Sequence, residues 1–161
     1  MLYPLQELSV QSRVWVYTAD RFITVSEEAK LEEIVSSFVE NWTAHNEALK
    51  ASFVILHGTV LLIAVDESAA NASGCSQDKL SQCIKKTEKE LGLTLLDRFR
   101  VVAKNGDEWL NLHANEFVEK VKSGQLSRDT TVVNTLITEL GDLRVQFELP
   151  ASSTWLNRYF N

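Results

Sequence analysis

Strand-like and helix-like periodicities follow one another in the order strand, helix, strand, strand, helix, strand from Arg13 to Asn105, and this order predicts an α+β fold. A second observation is the run from Val60 to Val65, apolar on successive residues, which describes a central strand covered on both faces. The third is continuity: 161 residues, 45% hydrophobic and 24% charged, run without repeats, low-complexity tracts or linkers, as one compact unit does.

Residues 13–19 are rich in β-branched and aromatic side chains and read as the first strand. Next comes "TVSEEAKLEEIVSSFVENWTAHN", where Leu31, Ile34, Val35, Phe38, Val39 and Trp42 recur every three or four residues as one helical stripe. Ser26 is the expected N-cap, with Glu27 and Glu28 at the positive end of the helix dipole. Residues 52–56 and 60–65 form a hairpin around His57-Gly58. In "SQDKLSQCIKKTEKELG" the stripe is Leu80, Cys83, Ile84, Thr87 and Leu91, with Ser76 as N-cap and Gly92 closing the helix. Asn105-Gly106 marks another hairpin, 114–124 a short helix, and 130–140 with 143–150 a last pair of strands before the tail "ASSTWLNRYFN".

The order of the first six elements is that of a ferredoxin-like βαββαβ sandwich, extended by further strands and a short third helix. Residues 1–105 are expected to make the sandwich, and 106–161 a C-terminal extension packed on the same sheet. Alternating strand directions would gather distant residues at one rim: Arg13, the end of the first helix with Trp42 and His45, the end of the third strand with Asp66 and Glu67, and the start of the second helix at Cys75.

That rim admits two kinds of chemistry. Cys75 beside a helix start is a candidate nucleophile, His45 its base and Asp66 the group that orients the base. Alternatively Ser73, Gly74 and Ser76 cradle a small anion, with Glu67, Trp42 and Lys50 around it. The plainer account makes Cys75 a small residue in a tight turn and His45 a cap on helix-end carbonyls. Trp109 and the tail residues Trp155 and Arg158 have the composition of a partner-binding surface, although the tail also suits packing against its own domain.

Other classes are disfavoured. A net charge of −6 argues against general nucleic-acid binding. No Gly-x-x-x-x-Gly-Lys-Ser/Thr or Gly-x-Gly-x-x-Gly occurs. His45, His57 and His113 share no metal spacing with the cysteines, so no metal and no cofactor is expected. The N-terminal stretch does not read as a signal peptide, and no run reaches the roughly 18 apolar residues of a membrane span. Two cysteines suit a reducing compartment, and the expected location is cytoplasmic.

The stretches "NWTAHNEALKASF", "VDES", "ASGCSQDK" and "PASSTW" with Arg158 are together similar to a family of small bacterial proteins, some of which carry the label ABC transporter ATPase. The resemblance runs over nearly the whole chain and implies no particular activity, while the missing phosphate loop speaks against that label. Its motif positions here are Trp42, His45, Lys50, Ser52, Asp66, Glu67, Ser73, Gly74, Cys75, Trp155 and Arg158. Residues 109–133 also resemble GYF-like peptide-binding modules, without the Gly-Tyr-Phe core; Trp109 is the nearest aromatic. The expectation that results is a non-catalytic domain binding a protein partner or a small anionic ligand at the edge from Asp66 to Ser76. The alternative is a small thiol-dependent enzyme built on Cys75 and His45.

Overall fold

In the computed structural model, which describes residues 1–160, the fold is mixed α and β and built on two antiparallel sheets. The first sheet holds β1 (Arg13–Thr18), β4 (Lys50–Leu56) and β5 (Val60–Asp66) in the order β1-β5-β4. Between β1 and β4 lie helix α1 (Val25–Glu40) and a small hairpin, β2 (Thr43–Ala44) with β3 (Glu47–Ala48). α1 is capped by Thr24, whose hydroxyl accepts from the Glu27 N–H at 3.3 Å, and not by Ser26. The Thr24 backbone is extended, as a cap requires, whereas Ser26 already lies inside the first turn. The helix also stops at Glu40, short of the expected Trp42–His45 end, because residues 43–48 turn back on themselves. His45 and Asn46 both have positive φ, 51° and 67°, the conformation of a two-residue hairpin turn.

Every residue of β5 is buried, as expected for a strand covered on both faces. Its alternation separates two cores. Leu61, Ile63 and Val65 pack with Leu31, Val35 and Val39 of α1 and with Leu80 and Ile84 of helix α2 (Gly74–Leu91). Val60, Leu62 and Ala64 face the second sheet, against Val102, Val133, Ile137 and Phe147. Each Leu, Ile, Val or Phe among them contributes roughly 1.5–3 kcal/mol when fully buried.

The second sheet has the order β7-β6-β8-β9, from β6 (Arg100–Asn105), β7 (Glu108–His113), β8 (Thr131–Val133) and β9 (Glu148–Pro150). β6, the strand expected to complete the first sheet, pairs with β7 and β8 instead. The position 105/106 thus falls in the β6–β7 turn, and the C-terminal part covers the far face of the first sheet as a sheet of its own. Helix α3 (Ala114–Lys122) closes a third core in which Phe117, Leu126 and Leu156 are buried.

The last expected strand pair is only partly formed. Residues 142–145 are a helical turn, α4 (Asp142–Val145), because the segment before it is drawn elsewhere. Thr138 O accepts from Val14 N–H at 3.0 Å, and the N–H groups of Leu140 and Gly141 donate to Ser12 O and Val10 O at 2.8 and 2.7 Å. Residues 138–141 therefore run along the start of β1. No helix among the described residues is long and apolar enough to cross a membrane.

Candidate functional site: a cationic cleft beside β1

Chain direction does gather one rim. The Trp42 indole N–H donates to Ser76 O at 2.9 Å, tying the stretch after α1 to the first turn of α2. Arg13 donates to Gln77 Oε1 at 3.2 Å, and Lys50 lies 3.7 Å from Asp66. The rim is held mainly by structural bonds. Ser73, not Ser76, caps α2, accepting from the Ser76 N–H at 3.1 Å, while the buried Ser76 hydroxyl donates back to Ser73 O at 2.8 Å. Trp42 is fully buried between Trp15 and Phe38. A Cβ added at Gly74 would meet nothing within 4 Å, so close backbone approach does not require a glycine there.

Of the three residues expected to act together, Asp66 is committed to structural bonds. Asp66 is buried, and both its oxygens are taken: Oδ1 by the Ser68 N–H at 3.0 Å, Oδ2 by the Ser9 N–H at 3.3 Å and by the Lys50 ammonium. These donors, the Ser68 contact foremost, hold its carboxyl below the usual range. Glu67 Oε2 accepts from the Ala72 N–H at 3.0 Å and closes the loop that follows. Lys50 also donates to Glu7 O at 2.9 Å and lies over the Tyr3 ring. Cys75 is exposed in the first turn of α2, and His45 is exposed on the β2–β3 turn. No hydrogen bond joins His45 to Cys75 or to Asp66 among the described residues.

A different place has the shape of a site. Along the outer edge of β1 lies a cleft of about 440 Å³. Its floor is Val16, Tyr17 and Thr18; its walls are residues 95–100, the loop at Thr135 and Leu136, and Trp155 and Arg158 of the tail. Three arginines, Arg98, Arg100 and Arg158, are among its lining residues, with one acidic residue, Asp97. Asp97 is occupied in part, accepting from the Phe99 N–H at 2.9 Å. Arg100 is fixed by two donations to Asn111 Oδ1, a neutral partner that leaves its charge uncompensated. Asn111 is anchored in turn through donations to Ala19 O and Thr59 Oγ1. Arg98 and Arg158 make no ion pair among the described residues. The cleft is also apolar: Leu96, Phe99 and Leu136 are among the most exposed large hydrophobic side chains of the protein, and Trp155 meets Phe99 edge-on at 6.4 Å.

Of the expected partner-binding residues, Trp155 and Arg158 belong to this cleft. Trp109 does not line it; its ring lies 4.1 Å from that of His57, beside the core between the sheets. The tail is anchored as well as exposed, since Leu156 is buried and the Ala151 N–H donates to Thr130 O at 2.8 Å. Arg98 and Arg100 were not among the site residues expected from the sequence. The available signal was Arg98-Phe99-Arg100, two cations around an aromatic in an acidic chain.

No family model matches this chain, and neither a curated protein nor a solved structure matches it.

Proposed function

We propose that the protein is a non-catalytic binding domain whose ligand is anionic and occupies the cleft beside β1. One observation carries this reading: three arginines and a half-buried tryptophan line a concavity that has a single acidic residue, in a chain of net charge −6. Arginine forks and aromatic faces are the groups that recognise carboxylates and phosphates attached to apolar bodies. In the same reading the β1–α1–β4–β5–α2 half is ferredoxin-like, with β6 diverted to the second sheet. The unpaired Cys75 and Cys83 support a cytoplasmic protein, and the motif positions support membership of the small bacterial family named above.

The experiment is titration with citrate and phenyl phosphate, followed by amide and arginine side-chain NMR shifts. Shifts are expected at Arg98, Arg100 and Trp155, and Arg98→Glu with Arg158→Glu should weaken binding by a factor of ten or more while leaving thermal stability unchanged. Absence of shifts from both anions overturns the reading. A second reading keeps the edge from Asp66 to Ser76 and makes Cys75 a nucleophile with His45 as base. The exposure of Cys75 at a helix start supports it; the committed oxygens of Asp66 stand against it. Alkylation of Cys75 no faster than that of a free thiol removes it.

A further inference from the structure

The edge of β1 that floors the cleft is unpaired over a defined length. In β1 the odd-numbered residues direct their main-chain groups toward β5, and the even-numbered ones direct theirs outward, as the Val14 N–H bond to Thr138 O demonstrates. At the other end the Asp20 N–H donates outward to Thr94 O at 3.2 Å. Between these two bonds stand Val16, half-buried, and Thr18, 5% exposed at the floor of the cleft, whose outward N–H and C=O groups have no partner among the described residues. The stretch from Val14 to Asp20 is about 20 Å long at roughly 3.3 Å per residue, so the open part fits a peptide core of about three residues. Partnerless strand edges of this kind are templates for an added strand.

Another partly open edge of the same sheet, that of β4, offers a contrast. The concavity beside it is lined by Leu2 to Gln6 and Ser52 to Val54, with no charged side chain. Of these two edges, that of β1 combines open main chain with Arg98, Arg100 and Arg158 and with apolar seats at Phe99, Leu136 and Trp155.

Resting on the cleft assignment above, we infer that the ligand is an extended acidic peptide segment of a partner protein, which adds as a strand to β1. Its main chain pairs with Val16 and Thr18, its carboxylates meet the three arginines, and an apolar side chain lies against Leu136 and Trp155. Main-chain pairing supplies affinity that tolerates sequence, while charge and the apolar seats select acidic partners and steer their approach.

The test uses the full chain and an array of nine-residue peptides that alternate acidic with aliphatic or aromatic residues. Peptides that bind should slow hydrogen exchange of the Val16 and Thr18 amides at least tenfold. N-methylation of the peptide at alternate amides should weaken binding at least tenfold in one register and leave it unchanged in the other. Arg158→Glu should weaken every binder. The inference is overturned if no array member binds, if the Val16 and Thr18 amides gain no protection, or if both N-methylated registers bind as well as the parent. Preferential binding of an oligonucleotide in the cleft overturns it too. If citrate still shifts the arginines while the peptide outcomes fail, the anionic cleft stands and only the strand addition falls; if neither binds, both fall.

Discussion

Asp66 illustrates how a side chain with catalytic potential is consumed by structure. It is buried at the end of β5, and its oxygens accept from the Ser9 and Ser68 amides while Lys50 stands 3.7 Å away. Asp66→Asn turns one acceptor into an amide that faces a donor N–H and a cation. That substitution should destabilise the protein by about 1–3 kcal/mol in urea unfolding at neutral pH. The pH dependence has a definite sign. Because the folded carboxyl titrates below its free value near 4, its contribution is complete above that value and is lost as pH falls through the folded pKa. Melting temperatures of wild type and Asp66→Asn should therefore converge as pH falls from about 5 toward 2. The charge and position of Asp66 could be read from the sequence. Its partner Ser9 could not, because Ser9 lies far away along the chain and its amide carries no sequence signal.

At the scale of elements, the tail decides between an appended segment and a structural one. Leu156 is buried in the core under α3 with Phe117 and Leu126, and Ser152 N–H donates to Arg128 O at 2.9 Å. Leu156→Ala should cost about 2–5 kcal/mol, read as an earlier denaturant midpoint with an unchanged slope. An effect within about 0.5 kcal/mol would mean that the tail is dispensable for folding. Strong stripes were legible: α1, α2, α3 and the β4–β5 and β6–β7 hairpins lie where their periodicity and turn residues place them. Caps and ends were read less well. Thr24 competes with Ser26, and Ser73 with Ser76, because all four are good capping residues and only the backbone angle selects one. The stretch 143–150 looked like a strand, yet pairing of residues 138–141 with the N-terminal segment bends the chain into α4 first.

For the whole molecule, β5 is the joint between the layers. Its two faces belong to different cores, so loosening either core exposes a side of the same strand. Urea unfolding should then follow one transition, with the same midpoint by far-ultraviolet dichroism and by tryptophan fluorescence. Leu62→Ala, on the face toward the second sheet, should cost about 2–5 kcal/mol of stability and lower both midpoints together. Two separated transitions would show that the sheets fold independently.

The sequence by itself determined the fold class, the central and doubly covered β5, the amphipathic helices and the meeting of Trp42, Asp66 and α2 at one rim. These follow from periodicity and chain direction, which are local or nearly so. Tertiary structure alone decided that β6 leaves the first sheet, that the outer edge of β1 stays open over Val16 and Thr18, and that arginines from β6, the segment before it and the tail meet there. The physical reason is that strand partnership is a competition among edges: β6 gains neighbours in both β7 and β8, a choice that residue periodicity leaves unrecorded.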